Sequence, residues 1–388
     1  MTVKKQKIIS VIGTRPDAIK MAPVIRALSS DDRFDSVVVN TGQHKDMIKG
    51  VLEWFNIEPH YTLDVMEPGQ PLSYLAGKVM AGLHDIFVKE NPHIVAVHGD
   101  TTTGFVAALA AHYCFNFNEK RPIRIAHVEA GLRTDNLYAP YPEEGNRRLI
   151  APLAYWHFAP TETAAEALFE ENVTGNVFIT GNSVVDALYD TVDLLKASPR
   201  PAVIDIPKDK KMLLVTGHRR ENYGDGFDGI CEALKQLAEA NSNLEIVYPV
   251  HMNPVVKEAV ESHLSGIENI KLIEPQDYPD FVALMERSDI ILTDSGGLQE
   301  EAPALGKPVL VMRDVTERPD AVLSGTVKLV GTKTERIVPA VQELLDSEVV
   351  YRQMSTAANP YGDGLAAQRI VNILSGGIAT ENTFHAVA

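Results

Sequence analysis

The chain has 388 residues, of which 45% are apolar and 23% are charged, and its formal net charge is −16. This length exceeds what one hydrophobic core supports and predicts two domains, while the acidic balance argues against a nucleic-acid partner. No apolar run approaches the ~18 residues of a membrane span, so we expect no membrane partner.

The N-terminal apolar run passes directly into a glycine turn, which favours a first strand over a signal peptide. The two cysteines, Cys114 and Cys231, lie far apart in the sequence. We therefore expect no disulfide framework and a location in the reducing cytoplasm.

Short apolar, β-branched runs recur along the chain with helical stretches between them. Continuous apolar runs are typical of strands buried on both faces, and strand–helix repetition predicts parallel sheets with right-handed crossovers. We predict an α/β fold with two doubly wound sheets of about six strands each. The runs are 7–13, 35–42, 93–100, 123–131, 156–161, 177–182, 212–218, 244–251, 270–276, 289–297, 309–314 and 327–331.

The boundary between the predicted domains is weakly marked. Residues 196–211 are rich in proline and charge and are typical of a linker, but the boundary could also lie just after the run 177–182. We place it there, which gives domains 1–182 and 183–365. The last residues, 379–388, are predicted to form a flexible tail.

Polar and charged residues gather directly after the apolar runs. In open parallel sheets, ligands bind beyond the carboxyl ends of the strands. We therefore expect these residues to converge on one rim of each sheet, and we predict that the two rims face each other across an interdomain cleft.

The segment GTRPDAIK (13–20) reads as a strand-to-helix turn, with Asp17 as the predicted N-cap. Arg15 and Lys20 near a helix start gain nothing from the helix dipole but would bind an anion. The alternative is a surface turn with two solvated cations.

The segment TDSGGLQEEAPALGKP (293–308) predicts a strand, a Ser-Gly-Gly turn and a helix that could hold phosphate. The alternative is helix capping by Ser295 with acids favoured in the first turn, which explains Glu300 well. Glu301, farther along the helix, is interpreted as the acceptor for ribose hydroxyls.

Four carboxylates, Asp100, Glu129, Glu143 and Glu144, follow strands of the first predicted domain. They could be proton-transfer groups or could belong to an ion-pair network with nearby arginines.

In TGHRREN (216–222), His218 could donate to a phosphate oxygen or be an ordinary loop histidine. The histidines lack metal-site spacing, so we expect no metal.

Taken together, these motifs resemble the non-hydrolysing UDP-N-acetylglucosamine 2-epimerases. The resemblance covers roughly residues 7–375 in order, and its specificity comes from the combination. The motifs that carry it are GTRPDAIKMAP, TGQHKDM, VHGDTTT, HVEAGLRT, YPEEGNRR, TGHRREN, YPVHMNP, TDSGGLQEEAPALGKPVLVMRDVTERPD and NPYGDG.

The resemblance implies a GT-B architecture of two Rossmann-like domains, a nucleotide-sugar between them, and a C-terminal helix at about 366–378 that packs back on the first domain. It implies the interconversion of UDP-GlcNAc and UDP-ManNAc without metal or nicotinamide, a homodimer, and a role in polysaccharide synthesis.

Site residues also follow from the resemblance, motif by motif. It implies catalytic roles for Asp100, Glu129, Glu143 and His218, with His218 contacting the diphosphate. Gln43 and His44 lie where several bacterial members bind a second, activating UDP-GlcNAc. The implied substrate-binding residues are Arg15, Lys20, Gln276, Phe281, Ser295, Gly296, Gly297, Glu301 and Arg318.

The C2 proton of the sugar is not next to a carbonyl, so epimerisation requires loss of UDP from C1 as C2 is deprotonated. Return of the proton to the other face and re-addition of UDP would complete the reaction. The alternatives are a hydrolysing epimerase that releases ManNAc and UDP, a GT-B glycosyltransferase, and a catalytically silent sensor of nucleotide-sugars.

Overall fold

The computed structural model describes residues 5–173, 176–377 and 383–384 and divides the chain into two compact units. The first unit runs up to Asp190 and resumes at Tyr361, and the second is Thr191–Pro360. The division falls inside a helix, beyond the boundary that we predict after residue 182. Within the described ranges, no helix has the length and apolar character needed to cross a membrane.

The first unit is built on a parallel sheet with seven strands among the described residues, in the order β3-β2-β1-β4-β7-β8-β9. A separate antiparallel pair, β5 and β6, adds a small hairpin. The strands are β1 (Gln6–Ile12), β2 (Phe34–Asn40), β3 (Tyr61–Thr62), β4 (Ile94–His98), β5 (Phe115–Asn116), β6 (Arg121–Pro122), β7 (Arg124–Val128), β8 (Trp156–Ala159) and β9 (Val177–Ile179).

Helices cover this sheet and bury its apolar strands; β4, for example, is buried along its whole length. The helices are α1 (Arg15–Ser29), α2 (Lys45–Trp54), α3 (Leu72–Glu90), α4 (Thr102–Tyr113), α5 (Glu143–Ile150), α6 (Glu162–Glu170) and α7 (Ser183–Ala197).

The second unit repeats the plan with six parallel strands, in the order β12-β11-β10-β13-β14-β15, within the part of the chain that the structure describes. The strands are β10 (Lys211–Thr216), β11 (Leu244–Pro249), β12 (Ile270–Ile273), β13 (Ile290–Thr293), β14 (Val309–Val311) and β15 (Val327–Leu329). The prediction of two doubly wound parallel sheets is confirmed.

The remaining helices are α8 (Asp225–Ala240), α9 (Pro254–Leu264), α10 (Tyr278–Arg287), α11 (Leu298–Glu301), α12 (Pro319–Leu323), α13 (Thr334–Asp346), α14 (Glu348–Ser355) and α15 (Ala366–Leu374), with 3₁₀ turns at Arg220–Asn222 and Ala302–Leu305. Helix α15 belongs to the first unit, where it packs on α1. Of the predicted tail, residues 379–382 and 385–388 lie outside the described residues, whereas Phe384 is buried and its N–H donates to Ile179 O.

The strand order has one switch point in each sheet. In the first sheet β1 and β4 are neighbours, and the chain leaves them towards opposite edges. The second sheet has the same relationship between β10 and β13. A ligand crevice is expected at the carboxyl ends of such strand pairs. The segments that begin at Gly13, Gly99, Gly217 and Asp294 follow these four strands.

Candidate functional site

The turn between β1 and α1 fixes the start of the first cluster of polar residues. The Thr14 hydroxyl accepts the N–H of Asp17, and the Asp17 carboxylate accepts the N–H of Thr14 at 3.2 Å. Thr14 is therefore the N-cap, and Asp17, which we predicted as the cap, is its reciprocal partner in a capping box. The box places Arg15 and Lys20 at the beginning of α1.

Lys20 and Glu129 form a direct ion pair in the first unit. The Lys20 ammonium donates to Glu129 Oε2, and Asn182 Nδ2 donates to the same oxygen at 2.6 Å. Glu129 follows β7 with a φ of 60°, an uncommon conformation for a residue other than glycine. The predicted substrate-binding lysine and a predicted catalytic carboxylate thus meet, and Asn182 joins them.

His98, the last residue of β4, lies between two carboxylates. Its Nε2 is 3.7 Å from Glu129 Oε2, and its Nδ1 is 3.6 Å from Asp17 Oδ1. Burial lowers the pKa of His98, but the carboxylates of Glu129 and Asp17 outweigh this effect and raise that pKa to about 9. His127 on β7 behaves oppositely, because burial lowers its pKa to about 3 and its Nε2–H donates to Gly99 O.

Asp100 comes directly after the turn that ends β4. Its Oδ2 accepts from Arg147, whose Nε and Nη2 both lie at 2.8 Å. Asn146 Nδ2 donates to the backbone carbonyl of Asp100 at 2.7 Å. Helix α5 thereby fixes Asp100 through both its side chain and its backbone.

Glu143 and Glu144 open α5 but have different surroundings. Glu144 is fully buried, and its carboxylate accepts the Thr134 N–H and bonds from Arg147 and Arg148. Glu143, one residue earlier, is half-buried at the helix start. The predicted ion-pair network therefore exists around Glu144 and Asp100, whereas the proton-transfer role of Glu143 stays a prediction.

Gln43 and His44 have structural partners that the sequence did not predict. Gln43 Oε1 accepts from the N–H and the hydroxyl of Thr103, at the start of α4. His44 Nδ1 accepts the N–H of Arg15 at 3.4 Å. Both residues therefore support the turns around α1 and α4, and their activator role stays a prediction.

In the second unit, Asp294 organises the loop that follows β10. Its Oδ2 accepts the N–H groups of His218 and Arg219, both at 2.8 Å, and its Oδ1 lies 3.3 Å from His218 Nδ1. Burial alone would raise the pKa of Asp294, but His218 and these N–H groups outweigh it and hold that pKa below its usual range. The result is a fixed, half-exposed His218 beside a buried carboxylate.

The predicted helix after the Ser-Gly-Gly turn is shorter than we expected. Helix α11 has one turn and gives way to a 3₁₀ turn, in which Pro303 has no N–H to continue the α-helical ladder. A Cβ added at Gly296 would lie 3.9 Å from guanidinium nitrogens of both Arg219 and Arg318. The positive charge near this glycine is therefore supplied by side chains.

The two glutamates of α11 have separate partners. Glu300 is fully buried and paired with Arg318, which we predicted as a ligand contact. Glu301 Oε1 accepts from the Tyr278 hydroxyl at 2.8 Å. The sequence analysis explains Glu300 by the helix dipole. In the structure Glu300 is one partner of a buried ion pair.

Gln276 precedes the N-cap of α10, and Phe281 lies in the first turn of this helix, close in sequence to Tyr278. Gln276 Nε2 donates to Glu274 O at 2.6 Å, and Phe281 is half-buried in the first turn of the helix. Their predicted contact with uracil stays a prediction.

Sequence reasoning missed Asp294, Arg219, Tyr278, Asn182 and His98 as parts of these clusters. The available signal was position, because most of them stand at or just after the end of a strand, where polar residues gather.

Among the described residues, no three His, Cys, Asp or Glu side chains are grouped so that they could hold a metal ion. A surface cavity of about 610 Å³ between α2 and the β2–β3 edge contains none of the predicted site residues.

Comparison with known proteins gives consistent matches over most of the chain. A family model described as UDP-N-acetylglucosamine 2-epimerase matches residues 26–375. The chain is 52% identical over 377 residues to the UDP-N-acetylglucosamine 2-epimerase of Yersinia pestis, covering 95% of this chain and 98% of that protein. It is 50% identical over 375 residues to that of Salmonella typhimurium, with the same two coverages.

A solved structure agrees with these matches. The UDP-GlcNAc 2-epimerase of Neisseria meningitidis, in a crystal structure bound to UDP-GlcNAc, is 45% identical and has a TM-score of 0.88. The alignment covers 96% of this chain and all of that chain.

Proposed function

The chain belongs to the UDP-N-acetylglucosamine 2-epimerase family, and on that premise we propose that it interconverts UDP-GlcNAc and UDP-ManNAc without releasing the sugar. The observation that carries the proposal is the arrangement of Asp100 and Glu129. They follow neighbouring strands of the first sheet, and each carboxylate is held by a cationic side chain. Fixed carboxylates are suited to proton transfer.

The reaction divides into elimination and re-addition. A base takes the C2 proton while the C1–O bond to UDP breaks, so a C1=C2 double bond forms and gives 2-acetamidoglucal and UDP. A proton is then added to C2 from the other face, and UDP re-adds to C1. The two faces require two proton-transfer groups, for which Asp100, Glu129 and Glu143 are the candidates.

Nucleotide binding is assigned to the second unit. The guanidinium groups near Gly296 and the fixed His218 suit a diphosphate, whose charge increases as it leaves C1. Glu301, positioned by Tyr278, suits the ribose hydroxyls. We assign Gln276 and Phe281 to the uracil side, and Arg15 and Lys20 to the sugar and diphosphate.

We test the proposal by incubating the protein with UDP-GlcNAc alone in D₂O and following the products by NMR. The expected result is UDP-ManNAc with deuterium at C2 and no accumulation of free ManNAc. Free ManNAc with UDP would indicate the hydrolysing reaction. Unchanged substrate would indicate a transferase that needs an acceptor, or a sensor. Asp100→Asn and Glu129→Gln should cut turnover severely while UDP binding survives.

We also propose a homodimer. Tyr113, Phe115 and Phe117 expose aromatic surface around the β5–β6 hairpin, which suits a contact with a second copy. Light scattering at micromolar concentration should give twice the chain mass, and a monomer would contradict the proposal.

A further inference from the structure

His98 is a buried histidine with no hydrogen-bond partner at either ring nitrogen among the described residues. Only 4% of its surface is exposed, so bulk solvent does not reach the ring. A buried polar group in this condition is costly unless another interaction compensates. The groups that face its two nitrogens are the carboxylates of Asp17 and Glu129, within ion-pair range.

Four titratable groups make up this cluster, which we call the His98 cluster: Asp17 and Lys20 from α1, His98 from β4, and Glu129 after β7. With a neutral imidazole the cluster has two carboxylates and one ammonium, and so carries a net negative charge. With an imidazolium it is neutral. Because unpaired buried charge is strongly unfavourable, the charged imidazole is the favoured state.

The neighbouring strand provides an internal contrast. His127 on β7 is also buried, but its Nε2–H donates to a backbone carbonyl and no carboxylate lies beside it among the contacts described. Burial keeps His127 neutral, with its pKa lowered to about 3, while the pKa of His98 is raised to about 9. The opposite behaviour of two buried histidines on paired strands traces to the two carboxylates.

We propose that His98 is a positioning residue for the epimerisation: its imidazolium fixes the Glu129 carboxylate in the geometry that proton transfer at C2 requires. The inference rests on the proposed function, in which Lys20 also binds the substrate. When the Lys20 ammonium also contacts the diphosphate, it neutralises the Glu129 carboxylate less completely. A second cation beside Glu129 is then needed to compensate its charge. The left-handed backbone of Glu129 indicates that the surroundings hold this residue firmly.

The first test measures the charge of His98 without any turnover. In protein labelled with ¹³C and ¹⁵N at histidine, the imidazole of His98 should remain mostly protonated at pH 8. Its resonance should be absent from His98→Gln. If no imidazole stays protonated at pH 8, the proposal is overturned. This readout does not depend on epimerase activity, so its failure is distinct from failure of the proposed function.

The second test measures the consequence for catalysis. His98→Gln should lower kcat by on the order of tenfold or more, because a misplaced reacting group is costly, while KM and UDP affinity change less than about threefold. The matched control is His157→Gln, since His157 is a buried histidine on β8, two strands from β4 in the same sheet, and burial lowers its pKa to about 4. It should retain kcat. Equal losses in both variants, or an unchanged kcat in His98→Gln, would contradict a positioning role.

Discussion

Arg318 donates from its guanidinium to the carboxylate of Glu300, and both side chains are buried in the second unit. Breaking a buried ion pair by removing one partner leaves the other charge uncompensated, at a cost of about 3–5 kcal/mol. Arg318→Met should therefore lower the free energy of unfolding by that amount in urea denaturation, in addition to any loss of nucleotide binding.

The double variant Arg318→Met/Glu300→Leu separates the two effects. It should recover most of the stability, because no unpaired charge remains, but it should not recover UDP affinity in calorimetry. Recovery of both would show that Arg318 supports the fold alone and does not contact the nucleotide.

Gly296→Ala should reduce nucleotide binding without harming the fold. The added Cβ would have ordinary contacts of 3.9 Å with the two guanidinium groups, so the protein can accommodate it. The same methyl group would occupy space beside the cations that we assign to the diphosphate. We expect UDP affinity to fall on the order of tenfold, which is about 1.4 kcal/mol.

Gly13→Ala is the contrasting substitution. Its Cβ would lie 2.3 Å from the hydroxyl oxygens of Thr41 and Thr103, which bond to each other in the core. Overpacking of this kind should destabilise the protein by about 1–3 kcal/mol. Unfolding curves and UDP titrations of the two variants give the comparison, and a Gly296→Ala protein with full affinity would argue against a diphosphate there.

Glu301 should determine the preference for ribose over deoxyribose. Tyr278 holds one carboxylate oxygen of Glu301, and hydrogen bonds to charged groups contribute about 1.5–3 kcal/mol. The protein should therefore bind UDP on the order of tenfold more tightly than 2′-deoxy-UDP, and Glu301→Ala should abolish the difference. Tyr278→Phe removes the same Tyr–Glu bond but leaves the carboxylate, so it should keep the preference. A preference that survives in Glu301→Ala would exclude this role.

Glu143 and Glu144 are adjacent but should respond differently to replacement by glutamine. Glu144 is a fully buried acceptor for Thr134, Arg147 and Arg148, so Glu144→Gln should destabilise the fold by about 1–3 kcal/mol. Glu143→Gln should reduce kcat by about 10²–10⁴-fold if Glu143 transfers a proton. Full turnover in Glu143→Gln would remove it from the mechanism.

The sequence predicts the strands well because they are buried on both faces and therefore appear as continuous apolar runs. The strands β3, β5 and β6 were missed because two residues each carry no hydrophobic pattern. Helix α11 is shorter than the sequence pattern predicts because Pro303 has no N–H to continue the α-helical hydrogen bonds. Local sequence patterns are thus sufficient to predict the long strands of the two sheets. The short elements depend on tertiary contacts and cannot be predicted from such patterns.

The candidate site was predictable in outline, because polar residues after parallel strands converge at one edge. Which of these residues pair with each other was not predictable. Glu300 with Arg318 and His218 with Asp294 are pairs between residues distant in sequence, and a charged side chain at a rim can equally face a ligand or a protein partner. Register and strand order decide between these outcomes.

Asp186 should make the attachment of the C-terminal helix dependent on pH. Its buried carboxylate accepts the N–H groups of Ala366 and Ala367 at the start of α15. Burial raises the pKa of Asp186 to about 6, from an ordinary value of 3.8, and these two N–H groups only partly oppose the shift. The folded state therefore binds more protons than the unfolded state between these two values. The contribution of Asp186 to stability increases as the pH falls from about 6 towards 4 and is smallest above 6.

Asp186→Asn removes this titration and keeps a side-chain oxygen that can accept one of the two N–H bonds. The free energy of unfolding of the variant minus that of the unsubstituted protein should therefore be larger at pH 7.5 than at pH 4.5 in urea denaturation. The comparison uses the difference between the two proteins at each pH, so that titration of other groups cancels. A difference that is equal at both pH values would mean that Asp186 titrates alike in the folded and unfolded chains, and the raised pKa would have to be abandoned.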